Sequence, residues 1–247
     1  MARADQLLVE AGLAASRTAA QRLIAAGRVS WSGGTIVKPA FDLPPKTPLT
    51  VAIDPEDRFV SRGGLKLAGA LAETGISADG KRCLDVGQST GGFTDCLLQA
   101  GASHVVGIDV GHGQLHSRLA GDPRVTAFEG INCRALSPAD LGVALPEGGF
   151  ALIVGDVSFI SMSLILPQLP ALLAADGDLL LLIKPQFEVG PANIGKGGIV
   201  RDPALYAGVE RKFFDLAQNF RLTVKAWLNS PITGGDGNRE FFIWLKK

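Results

Sequence analysis

Short apolar runs alternate with stretches of helical periodicity from Ser61 to about residue 218. The runs at 82–86, 104–108, 125–128, 151–155 and 179–183 predict strands, and 64–74, 92–100, 162–174 and 203–218 predict helices. That alternation argues an α/β fold whose mainly parallel sheet is covered by helices on both faces. The tail breaks the rule: 222–228 and 240–245 read as strands joined by a glycine-rich loop with no helix between them, a terminal antiparallel hairpin. Before Ser61 the scale is smaller. Residues 5–11 and 16–26 predict two short helices, with Ser16 as N-cap of the second and Gly27 ending it in the left-handed conformation. Strands at 29–31, 35–37 and 49–53 follow, the first two joined by a turn at Gly33-Gly34. The stretch 43–58 carries Pro44, Pro45, Pro48 and Pro55 and reads as exit and linker, which predicts a small α+β domain over 1–58 and a large α/β domain over 59–247.

Composition narrows this picture without changing it. With 247 residues, 47% hydrophobic and 19% charged, the chain has the apolar mass for a real core, which excludes a disordered polypeptide. The longest apolar stretch, 164–183, is interrupted by Pro167, Pro170, Asp176 and Asp178 and does not read as a membrane span. Cys83, Cys96 and Cys133 form no C-x-x-C pair, and the first ten residues carry no apolar signal core. Both point to a reducing, cytoplasmic setting. The net charge is +0, so there is no global attraction to nucleic acid. Residues 1–43 are locally basic, with Arg3, Arg17, Arg22, Arg28 and Lys38 against Asp5, Glu10 and Asp42. Arg17, Gln21 and Arg28 would share a face if helical phase ran on, either as a solvated surface or as a contact for phosphates.

The loop Asp85-Val86-Gly87-Gln88-Ser89-Thr90-Gly91-Gly92-Phe93 sits where the first strand of the large domain turns into a helix. Gly87 and Gly92 have the spacing of a phosphate-binding P-loop, but Phe93 stands where its lysine belongs. Ser89 occupies a required glycine position of the dinucleotide fingerprint. Residues 87–91 also fit the G-x-S-x-G elbow of hydrolases, yet the last histidine, His116, follows Ser89 too soon to complete a triad. Glycines that let the backbone approach a ligand, a preceding acid and Asp109 after the next strand suit a cationic, non-phosphorylated nucleoside, S-adenosylmethionine. The expected cofactor contacts are Asp85, Gly87, Ser89, Thr90, Gly91, Gly92, Phe93 and Asp109; an ordinary strand-to-helix turn is the alternative. His112 and His116 are four apart but have no third partner, so no metal is expected. Residues 190–200, with three glycines around Lys196, predict a mobile loop near Lys184 that closes over a ligand.

Four charges stand at element ends. Lys66 opens a helix, Asp156 and Lys184 follow apolar strands, and Glu240 starts the last one. Two lysines and two carboxylates that converge there would neutralise one another. The order lysine–aspartate–lysine–glutamate around this glycine loop resembles the FtsJ-like ribose 2′-O-methyltransferases, whose Rossmann-like sheet also ends in an antiparallel hairpin. Arg3-x-Asp5-x-Leu7-Leu8, Ser16-Arg17, Gly27-x-Val29 and Lys38-Pro39 are similar to the RNA-binding domain named for ribosomal protein S-four. The two in this order, with Gly111-x-Gly113-Gln114-Leu115, the stretch Asp156-Val157-Ser158-Phe159-Ile160-Ser161 and Lys184-Pro185-Gln186-Phe187-Glu188, resemble the TlyA family of ribosomal RNA cytidine 2′-O-methyltransferases.

The resemblance implies methyl transfer from S-adenosylmethionine to a cytidine 2′-hydroxyl of ribosomal RNA or a ribosomal subunit. The short termini imply large-subunit RNA. It gives Lys66, Asp156, Lys184 and Glu240 the catalytic role, and Arg3, Arg17, Gln21, Arg28 and Lys38 the RNA contacts. Lys184 is implied as the group that takes the 2′-hydroxyl proton. A lysine does so only where burial and nearby cations disfavour its ammonium. Asp156 and Glu240 work the other way, so they are expected to hold the lysines and the ribose in register. The competing readings are a non-enzymatic ribosome-assembly factor and, from the haemolysin names in the family, a membrane-lysing protein.

Overall fold

In the computed structural model, residues 1–14, 16–52, 58–200, 202 and 204–247 are described. Ile53 of the third expected strand, residues 53–57 of the expected linker and Pro203 of the last expected helix lie outside that set. The chain divides into two compact units, Met1–Asp57 and Arg58–Lys247.

The small unit contains β1 (Ala2–Arg3), α1 (Ala4–Glu10), α2 (Arg17–Ala25), β2 (Val29–Trp31), β3 (Gly34–Thr35), β4 (Asp42–Leu43) and β5 (Thr50–Val51). Ser16 caps α2 by accepting from the amide of Ala19, at 3.2 Å, and Gly27 takes φ 69°, both as their residue types dictate. β2 pairs with β3 and β5, while β1 pairs with β4, a two-residue ladder that the apolar pattern does not signal. Leu7, Leu8, Ala20, Ile24, Val29, Ile36 and Leu43 form its core.

The large unit is built from α3 (Gly63–Thr74), β6 (Arg82–Val86), α4 (Gly92–Gln99), β7 (His104–Ile108), α5 (Ser117–Ala120), β8 (Val125–Phe128), α6 (Pro138–Leu141), β9 (Phe150–Gly155), β10 (Leu173–Ile183), α7 (Ala204–Asn219), β11 (Thr223–Asn229) and β12 (Phe241–Lys246). The sheet order is β11-β12-β10-β9-β6-β7-β8. Pairs from β10 through β8 are parallel, and β12 runs antiparallel to both β10 and β11. The parallel sheet with a terminal hairpin is therefore as expected. One side of the sheet carries the cluster around Leu84, Val106, Ile153, Leu181 and Phe213, and the other that around Leu67, Leu97, Val105, Leu180 and Phe242. Because β6 sits beside β9, the strand order reverses between them, and a crevice opens at their carboxyl ends.

Two expectations fail in form. The helix expected at 162–174 is replaced by 3₁₀ turns at Met162–Leu164 and Leu166–Ala171, and β10 already starts at Leu173. Pro167 and Pro170 lack the amide an α-helix would need there. Residues 190–200 are not wholly irregular: 3₁₀ turns form at Pro191–Asn193 and Lys196–Gly198, and Ile194 bridges Val200. Asn238 ties this stretch down, accepting from Val200 N at 3.0 Å and donating to Gly198 O at 2.9 Å.

Candidate active site

The crevice collects chemistry from strand ends. Asp156 directly follows β9 and Lys184 directly follows β10, and parallel pairing puts both at the same edge of the sheet. Lys184 precedes Pro185, whose ring excludes helical backbone for the residue before it. Lys184 is accordingly extended, with φ −107° and ψ 100°. Glu240 directly precedes β12, which is antiparallel to β10, so its start lies at that edge too. Lys66 comes from the first turn of α3.

Two ion pairs result. Lys66 Nζ lies 2.6 Å from Glu240 Oε2, with the two side chains 10% and 2% exposed. Lys184 Nζ lies 2.6 Å from Asp156 Oδ1 and donates to Ser158 Oγ at 2.7 Å. The pairs feel each other. Burial pushes the Glu240 carboxyl above the usual carboxylate range, the Lys66 hydrogen bond and charge pull it back, and Lys184 and Asp156 act on it with opposite signs. Charges this deep persist only because each has an opposite partner. All four catalytic candidates thus meet in one crevice, joined by Ser158, to which the sequence reading gave no role of its own. The signal was present: Asp156 and Ser158 are two apart at a strand exit, a spacing that turns both side chains the same way, while Val157 between them is buried.

Two cavities flank the tetrad. One of about 240 Å³ is lined by Ser61, Arg62, Lys66, Ser89, Thr90 and Phe93 among others. The second, of about 590 Å³, runs past Asp109, Val110, Asn132, Cys133 and Phe159. Gly87, Ser89, Asp156 and Ser158 line both. Gly87 has φ 84°, and a Cβ there would stand 2.6 Å from the Asp156 carbonyl oxygen, so glycine brings the loop against the end of β9. Asp109 accepts from Ser89 N at 2.8 Å and from Gly111 N at 2.7 Å, one bond per carboxylate oxygen. Each oxygen keeps a second lone pair for a ligand hydroxyl.

The other cofactor candidates divide. Thr90, Gly92 and Phe93 line the smaller cavity. Gly91, with φ 92°, instead faces Leu119, whose Cδ1 would lie 2.3 Å from a Cβ. Asp85 is fully buried behind the loop, where it accepts from Thr94 Oγ1 at 2.7 Å, and Thr94 in turn accepts from Gln88 Nε2 at 2.9 Å. Asp85 therefore braces the turn from beneath. Burial pushes its carboxyl up to about 7, with Asp156 and Asp109 adding to the rise and Thr94 opposing it. His116 caps α5, accepting from Arg118 N at 3.2 Å.

The RNA candidates of the small unit are organised differently. Arg3 donates to both oxygens of Asp5 at 3.0 Å, and Arg17 and Gln21 reach Asp5 Oδ2 at 3.2 and 3.0 Å. Asp5 is completely buried, and the Arg3 hydrogen bonds hold its carboxyl well below the usual range. Arg28 does not share the helical face of Arg17 and Gln21, because α2 ends at Ala25 and Gly27 turns the chain. Its guanidinium donates to the Ala52 carbonyl at 2.9 and 3.1 Å. Lys38 is exposed.

A seven-stranded sheet with this order, a glycine loop after its first strand and a lysine–carboxylate tetrad at the same edge define a Rossmann-like methyltransferase. Residues 59–247 match the FtsJ-like methyltransferase family and residues 2–47 match the S4 domain. The chain belongs to the FtsJ-like methyltransferase family and, within it, to the TlyA group. The 16S/23S rRNA (cytidine-2′-O)-methyltransferase TlyA of Mycobacterium tuberculosis is 47% identical, over 99% of this chain and 90% of that protein. Hemolysin A of Brachyspira hyodysenteriae is 37% identical over 97% of each. Among solved structures, a Streptococcus thermophilus protein carrying a hemolysin name is 40% identical, with a TM-score of 0.75 over all of this chain and 88% of that one. An S-adenosylmethionine-dependent methyltransferase from Mesorhizobium loti, 15% identical over 72% of this chain and 96% of that one, shares the fold at a TM-score of 0.54.

Proposed function

We propose that the protein transfers a methyl group from S-adenosylmethionine to the ribose 2′-hydroxyl of a cytidine in ribosomal RNA, acting in the cytoplasm on RNA or on a ribosomal subunit. The observation that carries this reading is the pair of buried lysine–carboxylate contacts beside a glycine loop that has no phosphate-binding cation. The printed names of two relatives support the cytidine. The Mycobacterium tuberculosis protein is named for 16S and 23S RNA, and a Campylobacter jejuni protein, 36% identical over 76% of this chain, for 23S RNA alone. Large-subunit RNA is common to both names and is the target proposed here.

The residues fit the cofactor. The free lone pairs of Asp109 suit the two ribose hydroxyls of an adenosine, the larger cavity has room for the base, and the smaller one extends past Thr90 and Phe93 toward Lys66. When bound, S-adenosylmethionine supplies a sulfonium methyl as electrophile. Lys184 lies at the sheet edge, where it orients the 2′-hydroxyl and receives its proton. Asp156 pairs with the Lys184 head, and Lys66, held by Glu240, lines the smaller cavity. Alignment of this kind recovers on the order of 7 kcal/mol of a barrier.

Among the described residues no helix is long and apolar enough to cross a membrane, and nothing in the site favours lysis. The reading is tested by incubating ribosomal RNA and subunits with tritium-labelled cofactor and mapping the methylated nucleotide. A second arm removes residues 1–58. RNA methylation is expected to disappear while calorimetric cofactor affinity persists, because the large unit carries its own core. Full activity of the truncated protein would remove the RNA role of the small unit.

A further inference from the structure

We propose that Ser158 is a positioning residue for Lys184: its hydroxyl, with the Asp156 carboxylate, sets the direction in which the Lys184 head group faces the ribose. The proposal rests on the reading of Lys184 as the group that handles the 2′-hydroxyl.

A lysine head is held by a flexible stem, and one ion pair fixes its distance from a partner without fixing its rotation. An ammonium has three N–H directions, and the amine that accepts the ribose proton has a lone pair in place of one of them. Here the hydrogen bond to Ser158 Oγ, at 2.7 Å, assigns one N–H, while Asp156 Oδ1 lies 2.6 Å from Nζ as an ion-pair partner that accepts no hydrogen bond among the described residues. The ion pair holds the head group in place, and the Ser158 hydrogen bond, the directional contact, sets its rotation. Asp156 and Ser158 line both cavities, so the carboxylate and the hydroxyl hold the head group beside the spaces proposed for the cofactor.

The backbone prepares this arrangement from both sides. Asp156 and Ser158 leave β9 with the same facing, and the buried Val157 anchors the segment between them. Downstream, Phe159 has φ 65°, a sharp reversal, and Ser161 Oγ and Met162 N then donate to Glu188 at 2.6 and 2.8 Å. Glu188 follows Lys184 closely in the chain, so the segment carrying Ser158 and the segment carrying Lys184 are tied together beyond the contact itself. Lys212 adds a third donor to Glu188 at 2.8 Å. Ser158 takes no part in that anchor. Its hydroxyl can be removed without loosening the segment.

Three variants separate the possibilities: Ser158→Ala, Ser158→Thr and, as reference, Lys184→Ala. Initial rates on ribosomal RNA give kcat and both KM values, and calorimetry gives cofactor affinity. Ser158→Ala is expected to lower kcat by about 10- to 100-fold, the scale of a misaligned reacting group. Both KM values and the cofactor affinity should stay within about twofold, as for a loss confined to the transition state. Ser158→Thr, which keeps the hydroxyl, should return kcat to within about threefold of the parent. Unchanged kcat in Ser158→Ala, or a rise in cofactor KM with kcat preserved, would overturn the proposal. Failure of threonine to rescue would overturn the hydroxyl as the cause. If Lys184→Ala itself keeps full turnover, the underlying reading of the tetrad fails instead, and the two results are told apart by that variant.

Discussion

The two units use buried charge in opposite ways. In the small unit one carboxylate, Asp5, gathers Arg3, Arg17 and Gln21, and all four come from a single local helix pair and its approach. In the large unit four charges arrive from four separate elements and form two pairs, each with one member lining a cavity. A carboxylate surrounded by donors is a fastening. Lysine–carboxylate pairs at the mouth of a sheet, with room beside them, suit the substrate-holding role proposed above. The difference teaches that charge near a motif does not by itself mark a ligand contact; what matters is how much bonding capacity remains after the fold has used its share.

The comparison breaks most directly at Lys184. Lys184→Ala should lower methyl transfer by at least about 10²–10⁴-fold, the range of a lost general acid or base, while cofactor and RNA binding persist. Lys184→Arg should be nearly as damaging, since a guanidinium does not give up its proton. If the arginine variant turns over well, positive charge rather than proton transfer is what the site requires.

Asp85 offers a test in the buried support of the cofactor loop. Burial pushes its folded carboxyl up to about 7, against an ordinary value of 3.8. The native state therefore holds an extra proton between those values, so this contribution favours folding at low pH and is lost as pH rises toward 7. The swing is roughly 4 kcal/mol. Melting temperatures of Asp85→Asn measured from pH 4 to 8 should lack this decline. An unaltered slope would show that Asp85 is ionised in its brace.

Asp109→Ala should weaken S-adenosylmethionine binding by about 1–3 kcal/mol, as expected when hydrogen bonds to a charged acceptor go unmade. Calorimetry decides it, and unchanged affinity would move the ribose elsewhere. The smallest effect sharpens the small-unit side. Lys38→Ala should lower the salt slope of RNA binding by about one without touching stability. Arg17→Ala should cost the small unit about 1 kcal/mol of stability through its bond to Asp5, whatever it does to RNA. Equal behaviour of the two variants would erase the distinction between fastening and contact.

Much of this was written locally in the chain. The strands at Arg82–Val86, His104–Ile108 and Val125–Phe128, the Ser16 cap and the Gly27 stop follow from short-range rules of side-chain shape and hydrogen bonding, and they appear as those rules require. The residues of the tetrad were legible too, because each stands at an element end. Local rules did not reach the 3₁₀ passage before β10, where prolines overrode an apolar periodicity, or the β1–β4 ladder, which depends on two distant dipeptides meeting. Nor did they reach the pairing itself. Which lysine meets which carboxylate follows from β12 inserting between β10 and β11, and the recruitment of Ser158 follows from parallel register between β9 and β10. Likewise Asp85 reads as a loop contact until burial puts it beneath the loop, and Arg17 as a free cation until Asp5 takes it. Sequence determined which groups exist and which elements carry them, since those are short-range properties. Only the tertiary structure decided which charges face a cavity and which are consumed inside, because desolvation and partner distance exist only once the strands have been ordered.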